Sequence, residues 1–462
     1  MTHSAPVFTP FAQRMAAEGL SDLVIKTFEY YYTQLVSGET GVIPEPSIEP
    51  VDSLPDVESF PARLAAIGRE ALPQTIIIKL NGGLGTSMGL AQAKSLLPVK
   101  NGLTFLDIIA RQALKKEVPL VLMNSFATRA DSLARLNQYP ALTKHQLPLD
   151  FVQHKVPKID KADLSPVSWP PDPTLEWCPP GHGDIYTALV TSGMLESLLE
   201  AGCKYAFVSN ADNLGAVMDA SILGYFVEQK LPFMMEAADR TAADKKGGHL
   251  ARRADGQLIL RESAQCLPDD ETAFQDITRH KYFNTNNLWL NLPALQKVMT
   301  AQNNILGLPM IRNRKTVDPR APDSPPVYQL ETAMGSAIAV FGGAGAVRVP
   351  RRRFAPVKTT SDLLAVRSDA YILTDDYQVV QNPERALGQV VINLDPVYYK
   401  LVDDMDARFA DGIPSLLECE RLTIKGDIYF GRNVTVKGSV TLENPSSAPQ
   451  KIKDNSLLEN LD

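Results

Sequence analysis

Residues 75–89 read TIIIKLNGGLGTSMG, an apolar run that passes straight into a glycine-rich turn. The run from Thr75 to Leu80 has the length and β-branched content of a buried strand. The turn carries Gly82, Gly83, Gly85 and Gly89. Glycine has no Cβ, so such a backbone can approach a phosphate closely and aim its N–H groups at it. That density of glycine points to a ligand rather than to a bare strand–helix turn. No Gly-Lys-Ser/Thr closes the turn, which excludes a Walker loop. Counted from Gly83 and Gly85, the third glycine position of a dinucleotide fingerprint is Met88, and the next acidic residue is Asp107. Both argue against a nicotinamide-dependent oxidoreductase. Lys94 alone reads as a surface lysine. Behind such a loop it can reach phosphates.

Outward from this turn, short apolar runs alternate with helix-like stretches. TIIIKL is followed by FLDIIARQALKK, PLVLMN by ADSLARLNQ, and YAFVSN by DASILGYFVEQK, before PFMMEA. The alternation predicts βαβ units and an α/β fold with a mostly parallel, mixed sheet. Ligands in such sheets bind at the carboxyl ends of the strands. Upstream, Phe11, Met15, Leu23, Phe28, Tyr31 and Leu35 recur at helical spacing and predict an amphipathic helical segment ending at Gly38. GVIPEPSIEPVDSLPD reads as an extended linker, Pro61 to Leu72 as a short helix, and DPRAPDSPP as a surface loop. The expected division is an N-terminal helical segment and linker over 1–60, a catalytic domain over 61–374 and a C-terminal domain over 375–462.

The chain has 462 residues, too many for one ordinary core, so two or three domains are expected. A net charge of -7 supplies no clustered positive field for nucleic acid. Cys178, Cys203, Cys266 and Cys419 form no Cys-x-x-Cys pair, which argues against a zinc site or a disulfide framework. They read as thiols in a reducing compartment. No apolar run has secretory h-region or transmembrane character, so the expectation is a cytosolic protein with no membrane partner.

The segments KLNGGLGTSMG with the following KS, then GLTFLD, VPLVLMNSF, PPGHGDIY, VSNADNLGA, FNTNNLWLNL, QLETAMGSAI and PVKTTSDLL, resemble the UTP–glucose-1-phosphate uridylyltransferase (UDP-glucose pyrophosphorylase) family of eukaryotes and some bacteria. They span Lys79 to Leu364 in order. One such motif is weak; the ordered set is specific. The related UDP-N-acetylhexosamine enzymes match less well, since their glycine loop usually has Ala and Arg where this one has Asn81 and Ser87. The resemblance implies a Rossmann-like nucleotidyltransferase domain and a C-terminal parallel β-helix. It also implies reversible, Mg²⁺-dependent transfer of UMP from UTP to α-D-glucose 1-phosphate, with release of pyrophosphate.

In that reaction a sugar-phosphate oxygen attacks the α-phosphorus of UTP and pyrophosphate leaves in line. Both reactants are polyanions. Two like unit charges about 4 Å apart repel by about 4 kcal/mol at an effective dielectric near 20. Positioning and charge compensation therefore carry the reaction, with no covalent nucleophile. By the resemblance, the backbone of Leu80, Asn81, Gly82 and Gly83 lies along UTP, and Lys94 contacts its phosphates. Lys358 matches the lysine held to be catalytic. Asp212 takes Mg²⁺, with Asn210 and Ala211 in the same contact. His182 and the glycine pair Gly82 and Gly83 lie near the sugar phosphate. Gly248, Glu262, Asn284 and Asn286 match the sugar side. Gln153 matches the residue that reads uracil. An amide can donate and accept, which suits the N3–H and O4 edge, but it can also rotate to suit cytosine. A fixed backbone partner at Gly181 would remove that ambiguity.

Leu422 to Pro445 can be written as the hexads LTIKGD, IYFGRN, VTVKGS and VTLENP. Leu422, Ile428, Val434 and Val440 recur every six residues. This period predicts a short parallel β-helix rather than a meander. Such a coil cannot bury its own ends. It is expected to pack on other C-terminal strands and the catalytic domain, or on another subunit. The tail SSAPQKIKDNSLLENLD is shorter than in oligomeric relatives, so a monomer or small oligomer is expected. Two other readings stay open: a pyrophosphorylase of broader UDP-sugar range, and a catalytically silent UTP-binding regulator.

Overall fold

The computed structural model describes residues 7–459. Residues 1–6 and 460–462 of the expected terminal segments lie outside the described residues. The Thr75–Asn81 strand is central to a large mixed sheet. It pairs in parallel with Tyr205–Asn210 on one side and with Leu120–Asn124 on the other, and the latter pairs in parallel with Asp150–Val152. The sheet continues through Tyr282–Asn291, which runs antiparallel to Tyr205–Asn210. Phe233–Asp239 returns beside it, with Gly345–Val349 parallel to that strand.

The parallel strands are apolar on both faces because both faces are covered. Ile76, Ile78, Val121, Met123, Ala206 and Val208 point into one core, together with the helices Ile185–Thr191, Met194–Glu200 and Leu292–Ala301. The alternate residues Ile77, Leu120, Leu122 and Phe207 point into the other, with Phe105–Lys116 and Ala220–Glu228. The result is a three-layer α/β arrangement in which the parallel strands share one carboxyl edge.

The N-terminal segment departs from the single helical stretch expected over Phe11 to Val36. It forms two helices, Thr9–Ala17 and Asp22–Val36. Gly19 breaks it with a φ of +76°, a left-handed conformation that a side-chain-bearing residue resists. Phe11, Met15, Val24, Phe28, Tyr32 and Leu35 are buried together against Val156, Ile159, Cys178, Met310 and Leu330. The expected short helix runs Ala62–Ala71, with Pro61 as its N-cap.

After the helix Thr360–Arg367 a short antiparallel pair, Tyr371–Leu373 with Val379–Gln381, is followed by strands that pair in parallel. Val391–Leu394 lies beside Cys419–Lys425, which lies beside Thr435–Glu443. Leu422 stands opposite Val440, three hexads later in the chain. Ile428–Phe430 pairs in parallel with Gln450–Ile452. Leu422, Ile428, Val434 and Val440 are buried, in one core with Met88, Val99, Phe105, Val357 and Leu364. The C-terminal strands thus share a core with the glycine turn and the lysine segment of the catalytic region.

Candidate active site

Parallel register sets Leu80 beside Asn210 and Asn81 beside Asn124. Gln153 follows the next strand, and its N–H donates to Asn124 O at 2.8 Å. The loops that leave these strands enclose a cleft of about 360 Å³. Its walls are Leu80, Asn81, Gly82, Gly83, Lys94, Gln153, Gly181, His182, Asn210, Ala211 and Asp212, with Ser95 and Pro179. Residues spread over 130 positions of sequence are brought together because four strands end at one edge.

The glycines act by close approach. A Cβ on Gly82 would sit 2.8 Å from Gln153 Oε1, so its absence lets the Gln153 amide lie against the turn. Gly181 has a φ of +79°, and a Cβ there would meet Thr332 O at 2.4 Å. Its backbone is therefore fixed against the Thr332 strand end, where Thr332 N also donates to Pro180 O at 2.9 Å. Asn81 contributes backbone rather than side chain. Its amide Nδ2 is turned inward and donates to Asn124 Oδ1 and Ser132 Oγ.

Lys94 Nζ and Asp212 Oδ2 form an ion pair at 2.7 Å at the floor of the cleft, and both are partly exposed to it. Asp212 caps no helix. The cap of Ala220–Glu228 is Asp219. Among the described residues no three His, Cys, Asp or Glu side chains converge. A lone carboxylate does not suit zinc, which takes three or four protein ligands. It does suit Mg²⁺, which keeps several waters and takes other oxygens from substrate phosphates.

His182 Nδ1 accepts the Met334 N–H at 2.9 Å. The ring proton therefore sits on Nε2. Burial holds the imidazole neutral by lowering its pKa to about 4. His182 is thus a neutral donor at this wall of the cleft.

Lys358 is exposed and lines a neighbouring hollow of about 280 Å³ with Ser87, Met88 and Thr359, and with Leu394, Pro396, Tyr399 and Lys400 of the C-terminal region. Its Nζ stands over the Phe354 ring at 5.8 Å. The backbone beside it is tied to the cleft, since Val357 N donates to Asp212 O at 3.1 Å.

Gly248, Glu262, Asn284 and Asn286 form a second group outside the cleft walls. A Cβ on Gly248 would meet Glu262 Oε2 at 2.5 Å. Asn284 N donates to Gly248 O, and its Nδ2 donates to Asn286 Oδ1 at 2.9 Å. Burial raises the Glu262 carboxyl to about 6.

Three residues carry roles that the motifs alone do not reveal. Ser95 Oγ is buried at the cleft wall with no protein partner among the described residues; its one signal is its place after Lys94. Lys79 is buried beneath the cleft, where its Nζ donates to Ser209 Oγ and Ala216 O. Burial lowers its pKa to about 7. A lysine inside an apolar strand was its signal. Asp107, the acid of GLTFLD, takes a structural place. It closes a capping box with Thr104 and pairs with Arg135. Burial opposes its ionisation, but Arg135, the Thr104 N–H and hydroxyl, and Tyr139 outweigh it and hold the group at about 2.

Residues 25–437 match the family described as UTP–glucose-1-phosphate uridylyltransferase. The chain is similar to the probable UTP–glucose-1-phosphate uridylyltransferase of Schizosaccharomyces pombe, at 42% identity over 85% of this chain and 78% of the relative. It is similar to the UTP–glucose-1-phosphate uridylyltransferase of Solanum tuberosum at 40% identity, over 90% and 85%. A Leishmania major UDP-glucose pyrophosphorylase variant crystallised with UDP-glucose superposes with a TM-score of 0.90 at 44% identity, covering 99% of each chain.

Proposed function

The chain belongs to the UTP–glucose-1-phosphate uridylyltransferase family, and on that premise we propose that the cleft transfers UMP directly from UTP to glucose 1-phosphate. The enzyme is a nucleotidyltransferase that forms UDP-glucose and pyrophosphate. The observation that carries the site assignment is the convergence of the glycine turn, Gln153, Gly181, His182 and the Lys94–Asp212 pair on one cleft.

Uracil lies between the Gln153 amide and the fixed backbone at Gly181. A wrong base leaves buried groups unpaired there, at about 1–3 kcal/mol each. The Leu80–Gly83 backbone runs along the nucleotide. Lys94 and Lys358 offset phosphate charge as the sugar-phosphate oxygen attacks and pyrophosphate leaves. The neutral His182 Nε2–H, with Asn210 and Ala211, orients the sugar phosphate without adding charge. Gly248, Glu262, Asn284 and Asn286 take the hexose hydroxyls. Asp212 is the residue that would hold Mg²⁺, which when bound neutralises phosphate charge.

The C-terminal hexads and their parallel pairing support a short β-helix domain over 375–462, following a catalytic domain over 61–374 and an N-terminal segment over 1–60. Self-association, where it occurs, runs through this C-terminal domain. No helix among the described residues is long and apolar enough to cross a membrane. A cytosolic location is part of the proposal.

The reading is tested by pyrophosphate release from UTP with a panel of sugar 1-phosphates. Glucose 1-phosphate is expected to give the highest kcat/KM. Equal rates with several sugars favour the broader-range enzyme. UTP binding without turnover on any of them favours the silent regulator.

A further inference from the structure

Lys358 and Asp212 lie 146 positions apart in the chain, yet the segments that carry them are stitched together by one side chain. Asn213 is buried directly after Asp212. Its Oδ1 accepts the Ala355 N–H at 3.0 Å and the Gly215 N–H at 3.1 Å. Its Nδ2 donates to Arg353 O at 3.1 Å and to Asn287 Oδ1 at 3.3 Å. Its backbone forms a β-bridge with Pro356, next to which Val357 N donates to Asp212 O. All four polar valences of the amide are thus spent: two on the Arg353 and Ala355 backbone of the segment that leads into Lys358, one within its own turn at Gly215 and one on Asn287.

That segment is itself anchored from below. The Arg353 guanidinium pairs with buried Glu236 through two bonds of 2.7 Å and donates to Val217 O. Trp289 Nε1 and Asn287 Nδ2 donate to the same carboxylate at 3.0 Å. The two segments also touch without side chains between them, since a Cβ on Gly215 would lie 2.3 Å from Arg352 O.

We propose that Asn213 is a positioning residue for the uridylyl transfer, acting by clamping the Lys358 segment to the Asp212 turn. The inference rests on the site assignment above. It gives the Asp212 side and the lysine side of the reaction one shared, buried support. Loss of the clamp lets Lys358 leave its place while the UTP walls, built from other strands, stay intact.

A double-mutant cycle reads this out. Asn213→Ala is expected to lower kcat by about 10- to 100-fold, the usual scale for a supporting hydrogen bond in a site. KM for UTP should stay within about threefold, and circular dichroism should be unchanged. In a Lys358→Ala background, measured by single-turnover quench, the same substitution should cost less than about threefold more. Asn213→Asp, which keeps the Oδ1 acceptor for the Ala355 N–H and loses the Nδ2 donations, carries the cycle through if the alanine variant does not fold, and should retain more of kcat. A loss that multiplies in full in the Lys358→Ala background, or a kcat that survives both Asn213 variants, overturns the clamp. If instead Lys358→Ala alone keeps near-normal turnover, the site assignment itself is wrong.

Discussion

At the scale of single residues, the site separates groups chosen for charge from groups chosen for being neutral. Asp212 is the carboxylate of the cleft, paired with Lys94 at 2.7 Å. Asp212→Asn keeps shape and loses that charge. Turnover should fall by about 10²-fold or more, with partial recovery at high Mg²⁺; full activity at low Mg²⁺ would remove Asp212 from the metal site. Glu262 has the opposite setting, since burial raises its carboxyl from 4.5 to about 6. Between those values the native state binds the proton more tightly than the unfolded chain does. This group therefore adds stability as pH falls through that window, and removes it as pH rises. The proposed function runs the other way, because the carboxylate accepts hydroxyl hydrogen bonds on both oxygens, whereas protonation turns one oxygen into a donor. KM for glucose 1-phosphate should rise below about pH 6, beyond the change due to the substrate's own phosphate. Glu262→Gln should lack this extra rise; an identical profile in both proteins would take Glu262 out of the sugar site. Asp212, Lys94 and His182 stand in motifs that mark them as candidates. Asn213, Ser95 and Lys79 stand in the same motifs, but the motifs show neither the partners Ala355 of Asn213 and Ser209 of Lys79, more than a hundred positions away, nor that buried Ser95 Oγ has none among the described residues.

At the scale of elements, the glycine turn is built to be touched. The strand Thr75–Asn81 delivers it to the sheet edge, and Gly82 leaves room for the Gln153 amide. Gly82→Ala places a Cβ at 2.8 Å from Gln153 Oε1, inside any normal contact. The amide must move, and UTP affinity should drop about tenfold or more, measured by calorimetry, with the melting temperature little changed. Unaltered UTP affinity would mean that Gln153 does not read the base from where it stands. Strand and helix alternation was readable because buried parallel strands are apolar on both faces. The break at Gly19 was not, because Phe11 with Met15 and Phe28 with Leu35 each keep helical spacing inside their own helix, and that spacing does not mark where one helix ends and the next begins. Periodicity records which residues are buried; the left-handed φ that splits the segment leaves only a glycine as its trace.

At the scale of the whole molecule, the catalytic region and the C-terminal strands share one hydrophobic core around Met88, Phe105, Val357, Leu422 and Ile428. Tyr399 Oη donates to Ile428 O, and Arg385 is tied to Leu416, Leu417 and Cys419 carbonyls. Cutting the chain after Glu420 uncovers Met88 and Val357, which flank the glycine turn and Lys358. The truncated protein should aggregate or melt at lower temperature; one that is equally stable and fully active would make these strands a dispensable appendage. The six-residue period was legible in Leu422 to Pro445, but packing partners such as Met88 and Phe105 lie more than 300 positions earlier and left no mark there. Across the whole cleft the proposed transfer depends on positioning, with no covalent uridylyl-enzyme. His182 is held as a neutral Nε2–H donor by the Met334 N–H on Nδ1, and the buried thiol of Cys178 is pushed up to about 12. The stereochemical course at phosphorus tests this most directly. UTP carrying sulfur at a defined α-phosphate position should give UDP-glucose with inverted configuration, the signature of one in-line displacement. Retention would mean two displacements and a covalent intermediate, and would contradict the account.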